Sequence, residues 1–112
     1  MFCCRRGVIV LKKVYEKILE FRDQRNWKQY HDEKDLAISI SLEANELLEN
    51  FQWKSSEEAL ATSQQNIKEE MADVFIYLIQ MADKMNVDLE EEVLKKLEKN
   101  AKKYPVPRGR EN

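Results

Sequence analysis

Glycine and proline are almost missing from this chain. Gly7 and Gly109 are its only glycines and Pro105 and Pro107 its only prolines, so the stretch from Val8 to Tyr104 lacks both strong helix breakers. An all-α domain follows. Cysteine is confined to the adjacent pair Cys3 and Cys4, which cannot staple distant segments and reads as two reduced thiols. Histidine occurs once, at His31, which leaves a soft or imidazole-rich metal site without ligands.

Long apolar runs are also absent. The longest uncharged stretch in the centre is Val74 to Ala82, bounded by Asp73 and Asp83, far below the roughly 20 residues of a spanning helix. Near the start, Gly7 to Leu11 lies between Arg5-Arg6 and Lys12-Lys13, too short an apolar run for a secretory signal. A cytoplasmic protein without a membrane partner is expected. Nor is there a basic excess: 19 Lys and Arg against 21 Asp and Glu give a net charge of −2, so polymeric nucleic acid is not the expected ligand. With 112 residues the chain makes one domain with a modest core, and a homo-oligomer is the default.

With no internal glycine or proline, boundaries come from capping residues and polar clusters. A first helix fits Val8 to about Arg25, with Leu11, Val14, Tyr15, Ile18, Leu19 and Phe21 at helical spacing. The polar stretch Asn26 to Lys34 ends it. Asp32 or Asp35 caps a second helix to about Phe51, Ser55 to Glu58 opens a short connecting helix, and Thr62 or Ser63 opens a third long helix to about Met85. Asp88 caps the last helix, which closes near Lys103 ahead of Pro105. Four long helices in so short a chain suggest a bundle.

What the chain does have is two acidic pairs of identical spacing inside apolar helical runs, Glu43-x-x-Glu46 and Glu70-x-x-Asp73. Positions i and i+3 lie about 60° apart on a helix, one turn above each other, so each pair presents two carboxylates on one face. Hard divalent cations such as Mg²⁺ take such oxygen ligands together with substrate phosphates. On the second helix Leu36, Ile40, Leu47, Phe51, Ala44, Ala37 and Leu48 fill a sector of roughly 120°, and Glu43 falls about 20° outside its edge with Glu46 next to it. Leu42 and Ile38 lie beyond. Apolar neighbours on both sides disfavour charge unless a cation or a partner compensates. On the third helix an apolar arc of roughly 220° leaves one polar strip of Glu69, Glu70, Asp73, Tyr77, Gln80 and Lys84. That strip either faces water or lines a site, and the placement of Glu43 favours the site.

These residues fall in an ordered set. Arg25-Asn26-Trp27 with His31 is followed by Leu42-Glu43-Ala44-Asn45-Glu46-Leu47, then Phe51-Gln52-Trp53-Lys54, then Glu69 to Leu78, then Lys96 to Asn100 with Lys103-Tyr104-Pro105. From about Phe21 to Val106 the chain resembles the MazG-like all-α nucleoside triphosphate pyrophosphohydrolases, most closely their dCTP pyrophosphatase branch. The resemblance implies a four-helix-bundle-like protomer over residues 11–104, with 1–10 a disordered leader and 105–112 a flexible tail. It implies hydrolysis of a dNTP, dCTP or a modified pyrimidine analogue, between the α and β phosphates. Glu43, Glu46, Glu70 and Asp73 would hold Mg²⁺, and Glu46 would also position the attacking water. Trp27, His31, Trp53 and Tyr77 match positions around the nucleoside, and Lys96 and Asn100 match positions near the ligand. Dimers or tetramers in which neighbouring chains complete the pocket are implied as well. Leu42 stands where the broader family often has a further glutamate, as in the dCTP-type branch, and Ile18 where some dCTP-type members carry a histidine.

The alternative from another class is a non-catalytic helical interaction protein whose acids only face solvent or are structural. A carboxylate-bridged di-iron bundle ranks last, because no Glu-x-x-His occurs.

Overall fold

The computed structural model describes the backbone of residues 2–107 and the side chains of 11–107. Four helices follow one another: α1 (Phe2–Gln24), α2 (Glu33–Glu49), α3 (Ser56–Lys84) and α4 (Leu89–Lys103), with a 3-10 turn at Lys28–Tyr30. The protomer is the all-α, four-helix architecture expected from the shortage of breakers. α1 reaches back beyond the expected start at Val8. The side chains of the leader expected at 1–10, and the tail from residue 108 onward, lie outside the described residues.

Three helix starts carry side-chain caps. Asp32 and Asp35 exchange bonds in a capping box at the head of α2, Ser55 and Glu58 do the same at α3, and Asp88 accepts from the Glu91 N–H at α4. Helix ends use asparagine where glycine is the usual choice. Asn26 and Asn86 sit in the left-handed region at φ 56° each. In both turns the next residue donates back across the helix end, Trp27 N–H to Arg22 C=O and Val87 N–H to Ala82 C=O, which satisfies carbonyls that the helix leaves open.

α3 is not straight. Ser63 leaves helical geometry (φ −132°, ψ 23°), so residues 56–62 form a short arm ahead of the long one, close to the connecting helix expected there. Lys54 Nζ bridges the bend by donating to the Thr62 and Ser63 hydroxyls. α2 and α3 pack as an antiparallel pair, and α1 crosses α3 more lightly.

The core is small: Ile18, Leu36, Ala59, Ile67, Ile79 and Ala82 are buried, together with the polar Arg22 and Gln80. Much of the expected apolar face of α2 is left uncovered, with Ala37, Ala44 and Leu48 exposed beyond a half-buried rim of Ile40, Leu47 and Phe51. α4 buries no residue at all, and its Val93, Leu94 and Leu97 are about half exposed or more. Nothing among the described residues covers these apolar faces. Among the described residues no helix is long and apolar enough to cross a membrane.

Candidate metal centre

The acids meet where α2 crosses the long arm of α3. One oxygen each from Glu43, Glu46 and Glu70 lies within 4.8 Å of the others. The i, i+3 spacing on α2 supplies two of them from adjacent turns, and the antiparallel packing of α3 brings the third. Asp73, the fourth acid expected, is outside that tight group but half-buried beside it. Its charge still acts on Glu43, Glu70 and Tyr77.

The polar strip of α3 is turned inward. Glu70, Asp73, Tyr77 and Lys84 are half-buried and Gln80 is only 3% exposed, whereas Met71 and Leu78 from the apolar arc face outward. Glu69 alone of the strip faces solvent. Gln80 was legible as a strip member but not as a core residue, because periodicity orders a face without saying what covers it.

Burial and crowding change the acids' chemistry. Oε2 of Glu43 and Oε2 of Glu70 are both shut off from water without a hydrogen-bond partner. Two carboxylates cannot donate to each other, so a proton or a cation is required between them. Burial, then contact with Glu43 and the charges of Glu46, Glu43 and Asp73, push Glu70 up to about 7. Burial first and then the Glu46 charge raise Glu43 too. Tyr77 is raised by burial and by Glu43, Asp73 and Glu46, so its hydroxyl keeps its proton at neutral pH.

The donor set fits a hard cation: three converging carboxylates, two oxygens already stripped of water, and no imidazole or thiolate among them.

The aromatic and basic residues singled out from the sequence are spread over the chain. Trp27 and His31 flank the 3-10 turn with rings 6.2 Å apart, and Phe21 meets Trp27 edge-on at 5.7 Å. Lys84 ties this segment to the end of α3 by donating to the Lys28 carbonyl at 2.6 Å. Nδ1 of His31 is buried and unpartnered. Tyr77 lies between that segment and the acids on α3.

Trp53 is elsewhere. It stands at the opposite end of the α2–α3 pair, 93% exposed and at φ 64°. A left-handed conformation costs a residue other than glycine roughly 1–2 kcal/mol, so the turn holds the indole outward at some expense. Lys96 is exposed and Asn100 half-buried on α4.

A bundle whose central helix pair brings three carboxylates together defines a class of helical proteins with acids placed where they could hold a metal ion between two helices. Comparison with known proteins narrows this to a family. The chain belongs to the MazG-like family, whose sequence pattern matches residues 38–112. It is 38% identical over 92 residues to dCTP pyrophosphatase 1 of Rattus norvegicus and 36% to that of Homo sapiens, covering 78% of this chain and 54% of each relative. It thus spans about half the length of those curated relatives. Among solved structures it is similar to a pyrophosphatase from Archaeoglobus fulgidus, with a TM-score of 0.80 and 44% identity over 86% of this chain and 93% of that one.

Proposed function

We propose that this protein is a Mg²⁺-dependent nucleoside triphosphate pyrophosphohydrolase that converts a dNTP to the monophosphate and pyrophosphate. The observation that carries this is the convergence of Glu43, Glu46 and Glu70 within 4.8 Å with two carboxylate oxygens lacking any partner. The names of the mammalian relatives and of the archaeal structure support the reaction, and dCTP or a modified pyrimidine analogue is the substrate we favour.

Glu43, Glu46 and Glu70 would hold the cation, with Asp73 adding negative charge beside them. A cation held there would supply charge neutralisation for a triphosphate that four carboxylates otherwise repel, and polarisation of the attacked phosphorus. Glu46 is the exposed member of the cluster, which suits it to take the proton of the attacking water. Tyr77 retains its proton and can donate to a phosphate oxygen. Trp27 and His31 are assigned to the nucleoside end, where an aromatic face excludes water and the imidazole hydrogen-bonds sugar or phosphate oxygen.

Trp53 needs a second chain to take part. A hydrogen bond of 2.7 Å from Asn66 to Asn50 pins the tip of the α2–α3 pair. Eighteen residues of α3 separate residue 66 from residue 84, roughly 27 Å of helix, so Trp53 and Trp27 of one chain cannot flank one base. A homodimer or homotetramer resolves this and covers the apolar sides of α2 and α4. An open apolar groove of about 450 Å³ beside α1, lined by Leu11, Tyr15, Leu19, Val87 and Leu89, adds to the surface such an assembly would bury. Lys96 and Asn100 on α4 would reach the ligand in the same way. A cytoplasmic place, where nucleotide pools are, completes the proposal.

The test is to incubate the pure protein with each dNTP and Mg²⁺ and to resolve the products. Monophosphate and pyrophosphate, formed fastest from dCTP or its analogues, are expected. Release of single orthophosphate, or no turnover with any nucleotide, would overturn the assignment.

A further inference from the structure

Arg22 is a buried cation that the chemistry above does not use. It is 4% exposed, and its guanidinium bonds in two directions. Nη1 donates to Oδ2 of Asp83 at 2.8 Å, while Nε donates to Oδ1 of its neighbour Asp23 at 2.9 Å. The first bond ties the last turn of α1 to the last turn of α3. Asp23 is largely exposed, so Asp83 is the partner that makes a cross-helix tether.

The backbone of Arg22 has a second task. Its carbonyl accepts the N–H of Trp27 at 3.2 Å and that of Arg25 at the same distance, closing the turn in which Asn26 is left-handed. On the far side of Trp27, Lys28 is bound twice to α3: its Nζ lies 3.8 Å from Asp83 Oδ2, and its carbonyl accepts from Lys84. Trp27 is therefore clamped from both neighbours by residues that converge on Asp83 and Lys84. The exposed Lys28 ion pair alone would hold the segment weakly, because solvent and side-chain entropy offset it. A guanidinium that is itself buried bonds directionally, and leaving one partner of such a pair unmatched is costly.

α3 sets the scale. Asp83 stands ten residues beyond Asp73 on the same helix, roughly 15 Å along its axis, so the tether fixes the distance of the Trp27 segment from the acids.

We propose that Arg22, acting through Asp83, is a positioning residue that holds the segment of Trp27 and His31 in register with the carboxylate cluster and thereby sets how tightly the nucleoside end of the substrate is bound. This rests on the assignment of Trp27 and His31 to the nucleoside. Arg22 touches neither substrate nor reacting phosphate, so its loss acts on ground-state binding and spares the chemical step.

Two kinds of measurement test it. The first is steady-state hydrolysis of dCTP by Asp83→Asn and by the double variant Arg22→Met with Asp83→Leu, in which apolar groups replace the pair and the bundle stays folded. KM should rise roughly tenfold in both, with kcat within about twofold of wild type. Arg22→Lys, which keeps the charge and loses the planar group that reaches both aspartates, should fall between. The second is acrylamide quenching of Trp27 in a Trp53→Phe background, without nucleotide. The double variant should be quenched about twice as efficiently, and Lys84→Met, which removes one outer tie at a half-buried position, less so. Unchanged KM and unchanged quenching in the double variant would overturn the proposal, as would a fall in kcat at constant KM. If the wild-type protein hydrolyses no nucleotide, quenching alone decides the tether, and only the assignment of function fails.

Discussion

Cation binding should expel a proton, and the pH at which it does so tests the cluster directly. Glu70 is held at about 7 by burial, by Glu43 and by the surrounding charges, whereas a cation at this site requires it ionised. If one proton leaves, the apparent Kd for Mg²⁺ scales as one plus ten raised to the difference between about 7 and the pH. It is then about 1.1 times its limiting value at pH 8, about twice at pH 7 and about 11 times at pH 6, a tenfold weakening over two units. Glu43, also raised, steepens the fall at the acid end. Isothermal titration with Mg²⁺ in two buffers of different ionisation enthalpy counts the protons directly. Close to half a proton per ion should appear at pH 7, and about 0.9 at pH 6.

The apo protein should show the opposite face of the same linkage. A carboxyl whose folded-state value is raised favours the folded state fully below its unfolded value, near 4.5, and that contribution is lost as pH rises through about 7. Stability without metal should therefore decline between those limits, and Mg²⁺ should restore it at the upper end. Glu70→Gln cannot titrate: it should flatten the decline and bind Mg²⁺ more weakly at every pH. A Kd constant from pH 6 to pH 8 with no proton release would refute the shared-proton account of Glu43 and Glu70.

Three further outcomes follow from packing. Leu36, 2% exposed in the α2–α3 interface, should cost about 2–5 kcal/mol on truncation to alanine, read by urea unfolding at fixed protein concentration; a loss near zero would mean the core lies elsewhere. Ser55→Ala removes one arm of the capping box at α3 and should cost about 1 kcal/mol, with cluster and turnover otherwise intact. Leu97→Glu on the uncovered side of α4 should lower the sedimenting mass towards that of one chain, whereas a wild-type protein that sediments as a monomer at all concentrations would remove the need for a partner.

Helix starts were legible because their chemistry is local. Asp32, Ser55 and Asp88 each bond within three residues of themselves, and a short window of sequence contains the whole motif. Helix ends were less so, since an asparagine in a chain without central glycines marks a left-handed cap only once the turn is seen. Burial was legible only in part. Hydropathy ranks the faces of α3 but cannot tell that the strip of Asp73, Tyr77 and Gln80 packs inward while Met71 and Leu78 stay outside, because that depends on how many neighbours one chain can supply. Arg22 gave no signal at all: it sits in a charged stretch, and the partner that buries it lies at the far end of another helix.

The acids show where periodicity stops. The spacing within each pair places its carboxylates on adjacent turns of one helix, but which turn of α2 meets which turn of α3 is decided elsewhere. A slip of one turn moves a residue about 5.4 Å along the axis, more than the whole spread of the three oxygens at 4.8 Å. The cluster therefore depends on the connection that sets the register: the Asn66–Asn50 bond at its base, the Ser55 capping box and the bend at Ser63. Residues that touch no ligand decide in this way whether Glu70 meets Glu43 and Glu46. The distance of Asp73 from the tight group follows from the same setting, because the register that centres Glu70 on the α2 pair leaves its i+3 companion one turn to the side.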